Sequence, residues 1–473
     1  MLTLADPRQS LPPVWSADLL PSIREANAAA GRSIVVLDDD PTGTQTVYDI
    51  PVLTEWTAGA LTAELERDTP LFHVLTNSRS LPGPRAAQLA REIGGNLKRA
   101  LAATQREVTV ISRSDSTLRG HFPGEVDALV EELGQPQAVR IIAPFFEEGG
   151  RLTIDDTHYV ADGGRLVPAA ETPFARDASF GFTRSNLREW VAEKTGGRIA
   201  PESVRSITLN DLRKGGPGIV AGKLSVVPAG GVCVINAVAM RDMEVFVAGL
   251  LEAEKAGKQF IARTAASYVR ARAALEKRPL LDGGELRCAT GNGGLIVVGS
   301  HVPKTTAQLK QLLAANAPGP QPVELAVEEL IGGKRRAVID EAVRRVNVQL
   351  SRGHDVALHT SREVVTGADA GASLEIGAQI STALVEIVQR LAQRPAFMIA
   401  KGGITSSDVA THGLAVKRAM VRGQILPGIP VWRLGDESRF PGMNYVVFPG
   451  NVGGDGALRE VYEKLTGSGG AAN

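Results

Sequence analysis

Three carboxylates in succession, Asp38-Asp39-Asp40, follow the apolar run Ile34-Val35-Val36-Leu37 and lead into Pro41-Thr42-Gly43-Thr44. A β-branched apolar run reads as a buried strand, and open α/β sheets bind ligands beyond the C-terminal ends of their strands. Grouping like charges there is costly unless a metal, a cation or hydrogen-bond donors compensate. Two further strand ends supply cations. Leu75-Thr76-Asn77-Ser78-Arg79-Ser80 carries one arginine. The run Ile111-Ser112-Arg113-Ser114-Asp115-Ser116-Thr117-Leu118-Arg119-Gly120-His121 carries two, with an aspartate and several hydroxyls. A planar guanidinium grips both oxygens of a carboxylate, and serine and threonine hydroxyls suit a polyhydroxylated ligand. The chemistry indicated is the binding of a small polar acid.

The C-terminal half carries a different chemistry. Leu295-Ile296-Val297-Val298-Gly299-Ser300 is a strand ending in Gly-Ser, with Lys304-Thr305-Thr306 opening a helix. Phe397-Met398-Ile399-Ala400 leads into Lys401-Gly402-Gly403-Ile404-Thr405-Ser406-Ser407-Asp408, and Phe448-Pro449-Gly450-Asn451-Val452-Gly453-Gly454 is a third glycine-rich turn. Free backbone N–H groups at such turns, helped by a helix dipole, make an anion site. Neither GxxxxGK[ST] nor GxGxxG occurs, so neither a Walker A loop nor a dinucleotide fingerprint is present. An acid site in one half and a phosphate site in the other suggest a kinase, with its active-site cleft between two domains.

These residues need elements to hold them. A chain of 473 residues exceeds the size of one hydrophobic core, so two domains are expected. Short apolar runs alternate with longer amphipathic ones, as in an α/β protein whose domains each have a mainly parallel sheet flanked by helices. The predicted strands are Ser33–Leu37, Leu71–Thr76, Val108–Ser112, Arg140–Ala143, Val232–Asn236, Leu295–Gly299, Asp355–Leu358, Ala396–Ala400 and Tyr445–Phe448. The predicted helices are Pro84–Thr104, Arg241–Ala256, Lys304–Ala315 and Leu374–Gln393. Glycines and charges in Leu275–Gly294 place a domain junction there, dividing the chain into 1–285 and 286–473. Ala317–Pro322 reads as a loop, and the tail Gly467–Asn473 as disordered.

Composition narrows the class. Hydrophobic residues make up 43% and charged residues 22%, a globular balance, and with aromatics at 4% aliphatic side chains must fill the core. Basic and acidic residues number 52 each, without the basic excess of a nucleic-acid protein. Cys233 and Cys288 belong to no metal-binding spacing and read as buried thiols of a reduced compartment. Met1–Ala30 has no apolar core of a signal peptide, and no run approaches the ~20 apolar residues that span a bilayer. A cytoplasmic protein is expected, with no nucleic-acid or membrane partner; a homodimer stays open.

Taken together, the motifs resemble those of the four-carbon acid sugar kinases, long catalogued as a domain of unknown function. The matching stretches are Asp39-Asp40-Pro41-Thr42-Gly43, Thr76-Asn77-Ser78-Arg79, Ser114-Asp115-Ser116-Thr117-Leu118-Arg119-Gly120, Val298-Gly299-Ser300, Lys401-Gly402-Gly403-Ile404-Thr405 and Phe448-Pro449-Gly450-Asn451, in the family's order. The resemblance implies an N-terminal substrate domain, a C-terminal nucleotide domain, and ATP-dependent phosphorylation of a threonate, an erythronate or an oxo-tetronate. It implies substrate contacts by Asp40, Arg79, Arg113, Ser114, Asp115 and Ser116, and ATP contacts by Ser300, Gly402, Gly403, Ile404, Thr405 and Gly450. Many members have lysine where this chain has Arg113, and here Asp38 precedes the motif.

In the mechanism that follows, Arg79 and Arg113 hold the substrate carboxylate, and Asp40 or Asp115 accepts the hydroxyl proton. Mg2+ comes with ATP, its protein ligands unknown, and Lys401 neutralises phosphate charge. Other readings remain. Arg79, Arg113 and Arg119 can instead be structural partners of the aspartates, and Asp39 or Asp40 a helix cap. Asp38-x-Asp40-x-Thr42 imitates a dehalogenase-type phosphatase, with Asp38 as nucleophile and Asp40 as acid. A sugar-acid binding protein without catalysis is the third alternative.

Overall fold

The computed structural model describes residues 8, 11–288, 290–300, 302–314, 319–362, 365, 370–450 and 452–467, with 370–374 described by backbone alone. Asn451 of the third glycine turn, the first two residues of Ala317–Pro322 and the tail after Gly467 lie outside the described residues. The chain forms two compact units: Met1–Val47 with Glu55–Lys277, and Tyr48–Thr54 with Arg278–Asn473. The sequence reading put the junction at 285/286; the chain changes unit at Lys277/Arg278, and a short segment near its start belongs to the second unit.

In chain order the strands are β1 (Ser33–Asp38), β2 (Ile50–Leu53), β3 (Leu71–Leu75), β4 (Val108–Arg113), β5 (Val139–Ala143), β6 (Arg151–Ile154), β7 (Thr157–Asp162), β8 (Arg165–Pro168) and β9 (Arg205–Ile207). Then come β10 (Val232–Ile235), β11 (Phe260–Thr264), β12 (Leu295–Val298), β13 (Gln321–Leu325), β14 (Val356–Thr360), β15 (Met398–Lys401), β16 (Arg418–Leu426), β17 (Ile429–Leu434) and β18 (Asn444–Phe448). Each of the nine predicted strands coincides with one of these.

In the first unit the neighbours run β3-β1-β4-β11-β5-β10-β9, and every pair is parallel. β1 and β3 are buried along their whole length, which is why they read as mainly apolar runs, with His73 the polar residue inside β3. The helix Gly83–Thr104 buries Ala86, Leu89, Ala90, Ile93 and Leu97, the face given by the 3.6-residue period. It ends at Gln105 in the left-handed conformation. Parallel strands carry all their C-terminal ends to one edge. There Asp38 lies in register with Leu75 and Arg113, and Arg113 with Thr264. A separate antiparallel sheet, β6-β7-β8, follows β5.

In the second unit the order is β13-β14-β12-β15-β18-β17-β16-β2. The first five strands are parallel; β17, β16 and β2 join antiparallel. Val298, Lys401 and Phe448 share one register row, so the three glycine turns leave from adjacent strand ends. Cys233 is buried as expected, but Cys288 is only half-buried, with its sulfur 3.3 Å from Nη2 of Arg394. Among the described residues no helix is long and apolar enough to cross a membrane.

Candidate active site

The three consecutive aspartates have three different fates. Asp38 is the last residue of β1 and is 1% exposed. Its Oδ1 accepts from Arg113 Nη1 at 3.0 Å, and its Oδ2 lies 3.1 Å from His73 Nδ1. Burial raises its carboxyl, but Arg113 and His73 outweigh burial and hold it below the ordinary range. Gly43 packs directly on this carboxylate: a Cβ there would sit 1.9 Å from Oδ2, so no larger residue fits. A carboxylate enclosed this way presents no face for in-line attack on a phosphoester, which removes the nucleophile from the phosphatase reading.

Asp39 is also buried. Arg79 grips it with a fork, Nη2 on Oδ1 and Nε 3.2 Å from Oδ2, while Ser114 Oγ donates to Oδ2 at 2.7 Å. Asp40 is the least enclosed, its side chain 20% exposed. It caps the short 3-10 helix Pro41–Thr46 by accepting from the Thr42 amide at 2.8 Å and from the Thr42 hydroxyl at 2.5 Å. Proline follows as N1, where its missing N–H costs nothing. Oδ2 of Asp40 has a loose contact, 3.4 Å from Arg79 Nη1.

The loop after β4 closes the set. Asp115 Oδ2 accepts from Arg119 Nε at 2.8 Å and from the Thr117 hydroxyl, and Oδ1 is 3.9 Å from Arg79. Burial raises the Asp115 carboxyl, yet Arg79 and Arg119 hold it far below the ordinary range. Ser116 is fixed through its carbonyl, 2.7 Å from Nε2 of His158, whose Nδ1 is 2.9 Å from the Thr153 hydroxyl. Burial pushes His158 down to about 4, so it stays a neutral strut. His121 packs edge-on against Phe180 and reaches the Ser78 carbonyl at 3.1 Å.

The structure therefore brings Asp40, Arg79, Arg113, Ser114, Asp115 and Ser116 to one edge of the first unit. All three arginines are already ion-paired there. Arg113, 4% exposed, is wrapped around Asp38 and Asp39. Arg79 and Arg119 keep 17% and 23% of their side chains exposed. Two nearby residues escaped the sequence reading. Glu125, in the first turn of the helix Gly124–Glu132, lines a small pocket with Asp39, Thr76, Ser112 and Arg113. Burial pushes its carboxyl up to about 7, and the Asp39 charge adds to the rise. Arg263, near the end of β11, is buried, donating to the Arg119 carbonyl at 2.7 Å, with its guanidinium over the Trp190 ring.

In the second unit the expected nucleotide contacts also converge. Ser300 follows β12, Gly402 follows β15 and Gly450 follows β18, on three adjacent strands. Thr305 Oγ1 lies 3.3 Å from both the Ser300 hydroxyl and the Gly450 carbonyl. Gly402 has φ +115°, open to glycine alone, and starts the helix Gly403–Asp408, where Ile404 is exposed and Thr405 buried. The amides of Gly403, Ile404 and Thr405 lie in the first turn, where a helix has no internal acceptors for them. Arg362, unnoticed in the sequence, donates from Nη1 to the Ser300 carbonyl at 2.9 Å. Lys401 is not positioned to neutralise a phosphate by contact: it is fully buried, its Nζ donating to the Pro449 and Gly450 carbonyls.

Residues 34–272 match a sugar-binding N-terminal domain, and residues 295–458 a nucleotide-binding C-terminal domain. The chain belongs to the four-carbon acid sugar kinase family. A D-erythronate kinase of Heliobacterium modesticaldum is 26% identical over 249 residues, 51% of this chain and 49% of that protein. The chain thus matches about half the length of this curated relative. Two solved structures share the fold that this family member adopts. A Haemophilus influenzae protein, 18% identical, has a TM-score of 0.62 over 91% of this chain and 100% of its own. A Salmonella typhimurium LT2 protein, 16% identical, has a TM-score of 0.65 over 91% and 98%.

Proposed function

We propose that this protein is an ATP-dependent kinase that phosphorylates a hydroxyl of a four-carbon sugar acid such as a threonate, an erythronate or an oxo-tetronate. The observation that carries the reading is the pairing, in one chain, of a sugar-binding domain with a nucleotide-binding domain, the residues expected at each site standing at C-terminal strand ends. The similarity to a D-erythronate kinase supports the same substrate class.

Phosphoryl transfer needs positioning and charge neutralisation more than covalent chemistry. In this reading Asp40 accepts the proton of the attacking hydroxyl. Asp115 is the weaker candidate, because Arg79 and Arg119 hold its charge so firmly that it has little affinity for a proton. Arg79 and Arg119, part-exposed, take the substrate carboxylate, while Ser114 and Ser116 face its hydroxyls. Arg113 acts one layer back, holding Asp38 and Asp39 in place. ATP lies along Ser300, Gly402, Gly403, Ile404, Thr405 and Gly450, with Arg362 the cation nearest Ser300. Among the described residues no group of three or more His, Cys, Asp or Glu side chains is disposed to hold a metal ion, so in this reading Mg2+ would draw its ligands mainly from phosphate oxygens and water. Bound there, it would neutralise phosphate charge.

The test is an ADP-release screen of the purified protein with MgATP against threonates, erythronates and their oxo forms. Turnover with one or more of them is expected. Binding of an acid without ADP release would turn the reading into that of a sugar-acid sensor.

A further inference from the structure

Lys401 is a buried ammonium among neutral groups. Its Nζ donates to the Gly450 carbonyl at 3.0 Å and to the Pro449 carbonyl, and lies 4.2 Å from the Phe448 ring centroid. Its neighbours across the strands are Val298 and Phe448, and no carboxylate pairs with it among the described residues. The charged group acting on it is Lys304, from the first turn of the helix Pro303–Leu313, and that charge repels. A charge buried without a partner is expensive, so the ammonium either gives up its proton or gains an anion.

The geometry of the turn says where. A trans peptide unit points its carbonyl oxygen and its N–H in opposite directions. Lys401 draws the Pro449 oxygen inward, so the Gly450 N–H of that same peptide points the other way. That N–H has no acceptor among the described residues.

We propose that Lys401 is a positioning residue of the nucleotide site: by holding the Pro449 and Gly450 carbonyls from inside, it aims the Gly450 N–H at a phosphate whose charge completes its own. This rests on the kinase reading and deepens it. Lys401 never touches the nucleotide; it acts through the peptide between. Burial, with Lys304 adding to it, pushes the ammonium down to about 7 in the protein without ligand. A phosphate group beyond the turn favours the charged form, so nucleotide binding at pH 8 takes up a proton.

Isothermal titration of the full chain with MgADP, in buffers of different ionisation enthalpy, reads that proton directly. Uptake approaching one proton per nucleotide is expected at pH 8, fading toward zero at pH 6. Lys401→Met should abolish the uptake and weaken MgADP at least tenfold. Folding is checked separately: a lysine whose pKa is lowered from 10.5 to about 7 costs stability as pH falls from 10.5 toward 7, and the cost is complete below 7, so the ligand-free Met variant should melt no lower than wild type at pH 6. Lys401→Gln keeps a donor without the charge and should also lose the uptake. MgADP binding with buffer-independent enthalpy at pH 8, or wild-type affinity in Lys401→Met, overturns the proposal. No nucleotide binding by wild type at any pH sinks the kinase reading itself, and this proposal with it.

Discussion

At the aspartate turn of the first unit, Asp38, Asp39, Asp40 and Asp115 interlock with Arg79, Arg113 and Arg119 through six ion pairs, each shorter than 4 Å. At the glycine turns of the second unit the groups proposed to face a ligand are backbone amides, and the buried Lys401 beside them has no ionic partner among the described residues. The first region has its charges paired before any ligand arrives; the second is left short of an anion. A pre-paired network holds each polar atom in one place, which suits a ligand distinguished by stereochemistry. A cradle of amides with an uncompensated cation takes any phosphate of the right shape. The contrast also predicts how each fails. Removing one member of the network strands its partners, whereas changing the cradle weakens one ligand and leaves the fold alone.

The largest effect expected is on the chemistry. Asp40→Asn should lower kcat by roughly 10²–10⁴ if Asp40 takes the hydroxyl proton. Asparagine still caps the helix Pro41–Thr46, so the circular dichroism spectrum and melting temperature should hardly move. Turnover near wild type in steady-state assays would remove Asp40 from the role and end the distinction drawn here between it and its two buried neighbours.

Next comes the network itself. Arg113→Leu leaves Asp38 buried with only His73 beside it, and should destabilise the first unit by about 3–5 kcal/mol in denaturant melts. Adding Asp38→Asn should restore part of the loss, because the stranded charge is gone. A loss below about 1 kcal/mol in the single variant would mean that Arg113 is spare, and free to serve a ligand after all.

How far this contrast could be read from residue types differs between its two sides. β1 and its aspartates were legible because an apolar β-branched run ending in carboxylates has few physical explanations. The glycine turns were legible because each follows such a run. β11 was missed: Arg263 interrupts Phe260–Thr264, so the central strand that carries a site arginine does not look apolar. The β16–β17 hairpin was missed: β16 alternates buried with half-buried residues instead of running apolar, and proline and arginine interrupt the buried β17. Glu125 looked like any acid in a first helical turn, where the helix dipole welcomes one. Lys401, beside two glycines, read as a phosphate contact; only the three-dimensional register puts it inside. Strand ends are local features, but burial and pairing are long-range, and charged residues hide both.

The cradle offers a smaller effect. Gly402→Ala forces a Cβ into a backbone conformation at φ +115° and to 3.1 Å from Ser300 Cβ, at a cost of about 1–3 kcal/mol borne by the turn. The KM for ATP should rise roughly tenfold, one factor of ten per 1.4 kcal/mol, while the KM for the acid stays put. A shift in the acid's KM instead would show that the two regions do not divide the ligands as proposed.

The smallest effect tests whether the paired network reaches Glu125. Its folded pKa, raised to about 7 by burial and by Asp39, exceeds the ordinary value of 4.5, so the folded state keeps a proton that the unfolded chain gives up. The stability this contributes is complete below pH 4.5 and is lost as pH rises through 7. Glu125→Gln keeps a donor for the pocket but cannot ionise. Relative to wild type it should gain about 2–4 °C in melting temperature at pH 8 and nothing at pH 4.5. Superimposable melting curves for the two proteins from pH 4.5 to 8 would show that Asp39 is screened from Glu125. The network would then end at the aspartates rather than extend into the helix behind them.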